Sequence, residues 1–295
     1  MPASTIYPAD RLGAMPAQWC LVLPVKRLDI AKTRLTELAA DRRAELALAF
    51  AADTVTAALD CRWVAEVLVV TSDPAAGPAL AELGAGVIPD QPEAGLNPAL
   101  QYGASVAAGR WPRYGIGALS ADLPSLRPAE LATALVAAGN HARAFLADAA
   151  GTGTTLLTAR AGIPLQPEFG RRSGAAHLRS GAAALVAALG PDAVRSVRRD
   201  VDTPEQLYDA LRAGVGGHTA AVLASLARMQ ATVRTFDPAT RTGSVLLDDG
   251  TELPFDEPAF DAGGLRLLRF GQRVRIMVDG DGPATRVTFV TLATL

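Results

Sequence analysis

Apolar runs and amphipathic stretches alternate along the first two thirds of the chain. Residues 21–23 form an apolar run closed by Pro24, and residues 41–59 set Ala47, Phe50, Ala51, Thr54, Val55 and Ala58 at helical spacing. Residues 64–70 then predict a strand ending in Thr71-Ser72-Asp73, 74–83 a short helix and 86–89 a short strand. The pattern continues as helix over 97–108, strand over 114–119, helix over 128–138 and a strand pair over 144–158 that turns through 151–155. Such alternation predicts an α/β fold, a mostly parallel sheet sandwiched by helices. After a Gly-rich turn at 214–217 and an apolar helical piece to Met229, the period changes to two. Five short alternating strands, 231–236, 243–247, 252–255, 273–278 and 286–291, predict a small all-β barrel of the OB type. The expected division is an α/β domain over 18–212, a linker and helix over 213–229 and a barrel over 230–293.

Composition adds little to this and removes several alternatives. A hydrophobic fraction of 49% with 20% charge is that of an ordinary globular protein. From residue 230 onward there are seven arginines against nine acids, so the barrel is not a basic body awaiting nucleic acid. Cys20 and Cys61 cannot build a disulfide framework and read as buried free thiols of a cytosolic protein. The first 18 residues lack the pattern of a signal peptide, and no apolar run is long enough for a membrane span. The expected location is the cytoplasm.

Candidate chemistry begins in the loop after the first strand. Only two of the 28 basic residues are lysines, Lys26 and Lys32, and both fall there with Arg27 and Arg34. Four cations within nine residues, where open α/β sheets place their ligand crevice, point to a triphosphate; a solvated basic loop is the alternative. Asn97, heading a helix after Gly95, either caps that helix or offers its amide to a base. Asp122, at the end of a buried strand, either binds Mg²⁺ or closes a tight turn. At 168–177, glycine, two arginines and Ser173 at a helix start offer a small-anion site or a plain capped helix. His177, one turn further, reads as a packing or hydrogen-bonding group. Asp200 and Asp202 point to one face of an extended segment and need a cation or proton between them, although Asp202 equally begins a helix with Thr203-Pro204.

Taken in order, LPVKRLDIAKTRL (23–35), PDQPEAGLNPAL (89–100), ALSADLP (118–124), EFGRRSGAAH (168–177) and DVDTPEQL (200–207) resemble the 2-phospho-L-lactate or phosphoenolpyruvate guanylyltransferases of deazaflavin coenzyme biosynthesis. The resemblance covers about residues 18–212 and implies a nucleotide-diphospho-sugar transferase-like fold. It implies GTP binding by Pro24, Val25, Lys26, Arg27, Lys32, Arg34, Asp90, Gly95 and Asn97, with Lys26 and Asp122 catalytic. Asp122, Asp200 and Asp202 would surround Mg²⁺, and Thr155, Gly170 and Ser173 would hold phosphoenolpyruvate or phospholactate. Pro98 and Arg171 stand where the family usually has alanine and proline, and the second change leaves the acceptor loop less rigid and more basic. The implied product is a labile guanylylated phospho-acid, which fits hand-over to a downstream transferase. A related nucleotidyltransferase with another acceptor is the competing enzyme reading. The barrel resembles a cold-shock domain, but RTGSVL at 241–246 lacks the aromatic platform that single strands stack on. A packing or oligomerisation role is expected of it; a nucleic-acid-binding regulator is the alternative from a different class.

Overall fold

Within the first 200 residues the apolar runs become one seven-stranded sheet. Its strands are β1 (Trp19–Pro24), β2 (Val64–Val70), β3 (Gly86–Ile88), β4 (Gly115–Leu119), β5 (Arg143–Ala147), β6 (Thr154–Ala159) and β7 (Ala183–Ala184), in the order β3-β2-β1-β4-β6-β5-β7. The structure is a computed structural model that describes residues 18–30, 32, 35, 40–91, 93–226, 229–279 and 285–292. Arg34 lies outside the described residues.

Strands β3, β2, β1 and β4 are mutually parallel, β6 is antiparallel to β4 and to β5, and β7 runs parallel to β5. The central strands β1 and β4 are buried nearly throughout, as strands covered on both faces must be. Helices α1 (Ala40–Leu59), α2 (Ala76–Glu82), α3 (Leu96–Arg110), α4 (Pro128–Ala138), α5 (Ser173–Arg179) and α6 (Val186–Leu189) alternate with them. Helix α3 lies close on β1 and β2 because it presents Ala99, Gly103 and Ala107, four residues apart, to the sheet. A Cβ on Gly103 would stand 2.5 Å from a Val22 methyl and 2.7 Å from a Val70 methyl.

Helices α7 (Pro204–Ala213) and α8 (Gly217–Leu226) lead to a closed barrel. Its strands are β8 (Met229–Asp237), β9 (Thr242–Leu247), β10 (Glu252–Phe255), β11 (Arg273–Asp279) and β12 (Arg286–Leu292), in the order β10-β12-β11-β8-β9. The short helix α9 (Glu257–Ala262), capped by Asp256, was not indicated by the period-two pattern. Phe255 and Phe260 are buried in the barrel core with Phe236 against both rings, so these three aromatics are core. Arg234, Arg241 and Arg273 are matched by Glu252, by Glu257 with Asp261, and by Asp248. Phe270, in the loop before β11, is 83% exposed.

The chain divides into two compact units. One comprises Met1–Lys26 and Thr54–Asp200, the other Arg27–Asp53 and Val201–Leu295. The physical reason is a small second core in which Leu35, Leu46 and Phe50 bury with Val201 and Ala210, backed by Leu207, Val215, Val222, Leu223 and Met277. Buried Asp53 ties the same segment to the start of α8 by accepting from the backbone N–H groups of His218 and Thr219, both at 2.9 Å. Both cysteines are buried free thiols, and burial pushes the Cys20 thiol up to about 12. Among the described residues no helix is long and apolar enough to cross a membrane.

Candidate active site

One edge of the sheet collects most of the predicted chemistry, and strand direction explains why. The carboxyl ends of β1, β3, β4 and β5 open on that edge, and antiparallel β6 begins on it. Pro24 ends β1, with Val25 buried and Lys26 exposed just beyond. Val25 continues the parallel pattern by donating its N–H to the Val70 carbonyl at 2.9 Å. Asp90 follows β3, and its carboxylate accepts from the Glu93 N–H at 3.2 Å, closing the turn that leads to Gly95. Gly95 has φ 106°, a conformation open to glycine, and serves as the N-terminal cap of α3.

Asp122 sits three residues past β4 in a loop fixed on both sides. The buried Thr54 hydroxyl donates to the Ala121 carbonyl at 3.3 Å and accepts from the Leu123 N–H at 3.0 Å, bracketing the half-buried acid. The Ser120 N–H donates to the Thr155 carbonyl at 2.8 Å, joining this loop to the start of β6. Thr54 is missing from the predicted set. Its signal was present as a hydroxyl on an otherwise apolar helix stripe.

Thr155 is the extra residue of a β-bulge: Leu146 pairs with Leu156 and Ala147 with Thr154, so Thr155 has no opposite number. It is 1% exposed, and its hydroxyl has no hydrogen-bond partner among the described residues. Buried hydroxyls are rarely left so, and among the described residues the Trp63 indole N–H and the Thr219 hydroxyl share this state.

Ser173, the other predicted hydroxyl, is already engaged. It is buried and donates to Thr154 Oγ1 at 3.1 Å, and α5 is preceded by Arg172 in the left-handed region with no side-chain cap. The anion-site expectation built on the Ser173 hydroxyl therefore meets a hydroxyl turned inward. Gly170, φ 136°, is exposed at the tip of the loop beside Arg171 and Arg172.

Behind that loop stands His177, fully buried. Its Nε2 accepts from the Glu168 N–H at 2.9 Å, so the neutral ring carries its proton on Nδ1 and donates to Thr154 Oγ1 at 3.0 Å. Burial, and then the Arg143 guanidinium, lower its pKa to about 4. The N-cap of α3 is Gly95, and the Asn97 amide bonds across to the loop. Its Oδ1 accepts from the Phe169 N–H at 2.7 Å and its Nδ2 donates to the Phe169 carbonyl at 2.9 Å. Arg143 had no signal in sequence, being one arginine of many. It is buried and donates to the carbonyls of Leu165, Gln166 and Ser180.

Asp200 follows a segment pinned by Arg198, whose guanidinium donates to the carbonyls of Ala147 and Asp148. The half-buried acid thus lies after an ordered stretch. In the second unit, Asp202 is paired with Lys32 at 2.9 Å, with the lysine side chain 10% exposed and its ammonium 5.9 Å from the Phe50 ring centroid. The helix start is made by Thr203, which forms a capping box with Gln206, and not by Asp202. Arg27 is exposed and paired with Asp29 at 2.9 Å. Two residues assigned by sequence to nucleotide and metal, Lys32 and Asp202, are therefore bound to each other.

Among the described residues no three His, Cys, Asp or Glu side chains are grouped to hold a metal. The donors still fit Mg²⁺, because that ion is commonly held by one or two carboxylates with the remaining positions filled by substrate phosphates and water. Asp122, bracketed at the sheet edge, is the carboxylate so placed.

The sequence family described as guanylyl transferase CofC like matches residues 19–239. Four of the five barrel strands lie beyond that match. A phosphoenolpyruvate guanylyltransferase from Thermomonospora curvata is 55% identical over 208 residues, covering 70% of this chain and 90% of that protein. One of the same name from Streptomyces coelicolor is 57% identical over 210 residues, covering 71% and 97%. Among solved structures, a nucleotidyl transferase from Methanothermobacter thermautotroptrophicus aligns with a TM-score of 0.45 at 18% identity, covering 67% of this chain and 99% of that one.

Proposed function

This chain belongs to the CofC-like guanylyl transferase family, and from that premise we propose that it transfers GMP from GTP onto phosphoenolpyruvate, releasing pyrophosphate. A phosphate oxygen of the acceptor attacks the α-phosphorus of GTP in line, and the bond from that phosphorus to the bridging oxygen of pyrophosphate breaks. No covalent enzyme intermediate is required. Catalysis is positioning together with charge neutralisation, as in phosphoryl transfer generally.

Each residue then has a role. Lys26 offsets triphosphate charge, while Pro24, Val25, Asp90 and Gly95 shape the backbone along the nucleotide. Asp122, with Asp200 as second carboxylate, would hold Mg²⁺. When bound, that ion neutralises the triphosphate oxygens and the developing charge on pyrophosphate. The orphan hydroxyl of Thr155 donates to the acceptor phosphate or carboxylate, and Gly170 lets the loop tip approach it. Ser173 acts through Thr154, holding the start of α5.

The single observation that carries the acceptor half is the buried Thr155 hydroxyl, without a hydrogen-bond partner among the described residues, at a bulge joined to the Asp122 loop. Pyrophosphate release with GTP and Mg²⁺, comparing phosphoenolpyruvate and 2-phospho-L-lactate, tests the reading. Release with phosphoenolpyruvate is expected, and silence with both acceptors would overturn it. Asp122→Ala should lower turnover by about 10²-fold or more with an unchanged melt. An active variant would remove the acid from the mechanism.

A further inference from the structure

The acceptor loop 160–172 has little regular structure, yet its backbone is held at consecutive points by three side chains from elsewhere. Arg143 takes the carbonyls of Leu165 at 3.1 Å and Gln166 at 3.0 Å. His177 takes the Glu168 N–H at 2.9 Å. Asn97 takes both the N–H and the carbonyl of Phe169, at 2.7 and 2.9 Å. The residue after this double clamp is Gly170, where the exposed tip begins. Arg143 and His177 belong to elements next to the loop, β5 and α5. Asn97 alone of the three comes from the first turn of α3, two residues past Gly95 in the stretch assigned to the nucleotide.

We propose that Asn97 is a positioning residue that couples the two substrates: nucleotide held along 90–97 fixes the first turn of α3, and Asn97 passes that order to Phe169-Gly170 and so to the acceptor site. The mechanical basis is that a side-chain amide bonded to both the N–H and the carbonyl of one residue holds the two successive peptide units that flank it, and so sets that residue's position and orientation. A shift of α3 must then move the loop tip with it. Coupling of this kind is reciprocal, so acceptor must also tighten the hold on nucleotide. This inference rests on the proposed reaction, and it assigns Asn97 a role distinct from reading the base.

The test compares wild type with Asn97→Ala and the isosteric Asn97→Asp, each checked for an unchanged tryptophan-fluorescence melt. In steady-state pyrophosphate release at saturating GTP, the phosphoenolpyruvate KM of the variants should rise roughly 10- to 100-fold, the cost of a misplaced binding loop, while the Kd for GTP without acceptor and the preference for GTP over ATP hold. A raised GTP Kd without acceptor or a relaxed base preference would instead make Asn97 a base contact and overturn the proposal, as would an unchanged phosphoenolpyruvate KM. Hydrogen exchange provides a second readout that needs no turnover. GTP with Mg²⁺ should protect peptides covering both 90–100 and 165–172 in wild type, and only the first in Asn97→Ala. Protection of 90–100 without 165–172 in wild type refutes the coupling, whereas no protection at 90–100 marks a failure of the GTP reading itself.

Discussion

His177 makes the acid stability of the α/β unit a quantitative matter. The ring is fully buried between Phe145 and Phe169, faces the Arg143 guanidinium, and uses Nε2 as an acceptor for the Glu168 N–H. Protonation would set an Nε2–H against that backbone N–H and a second positive charge near Arg143. Its pKa accordingly falls from 6.5 to about 4, chiefly through burial. The unfolded chain takes the proton at the ordinary value and the native state does not. The stabilising contribution is therefore present above about pH 6.5 and is lost as the pH falls toward 4. A displacement of this size corresponds to about 3 kcal/mol, on the rule that one unit is worth about 1.4 kcal/mol. His177→Gln removes the titration. At pH 7.5 the variant should be less stable by about 1–3 kcal/mol, because two hydrogen bonds of a buried ring are disturbed. Toward pH 4 that deficit should close, since wild type alone pays the proton linkage. Urea melts followed by tryptophan fluorescence read the correct unit, as Trp19, Trp63 and Trp111 all lie within it. Titratable groups other than His177 are common to both proteins and cancel in the difference. A stability gap that stays constant between pH 7.5 and 4 would refute the reasoning, showing that His177 titrates alike in the folded and unfolded chain.

Three further outcomes are expected. Thr155→Val keeps the side-chain shape and removes an unpartnered buried hydroxyl, so the fold should be unchanged or more stable by about 1 kcal/mol while the phosphoenolpyruvate KM rises; a clear loss of stability would mean the hydroxyl is satisfied within the protein. Gly103→Ala drives a methyl to 2.5 Å from Val22 and 2.7 Å from Val70, and should cost about 1–3 kcal/mol in the same fluorescence melt, with a neutral result contradicting the close seat of α3. In a double-mutant cycle of Lys32→Met and Asp202→Asn, urea melts followed by circular dichroism should give a coupling of about 1–2 kcal/mol, because the ammonium is largely buried; additivity would show that the 2.9 Å pair contributes nothing.

The sequence by itself determined the order of strands and helices, the change of period that announces the barrel, and the family, because these depend on local spacing and on ordered motifs. It also placed Lys26, Asp90 and Asp122 just past the ends of strands, from which parallel topology carries them to one sheet edge. What it could not reach were pairings between residues far apart in the chain. Nothing local distinguishes an asparagine that clamps Phe169, 72 residues away, from one that caps its own helix. Nor does anything local reveal that Lys32 meets Asp202, 170 residues on, or that Thr155 is the unmatched residue of a bulge. The division into compact units was hidden for the same reason, since Leu35, Leu46 and Phe50 find their partners beyond residue 200. Hydrogen bonds and burial are satisfied in three dimensions, and only the tertiary structure decides which of several chemically suitable partners each group takes.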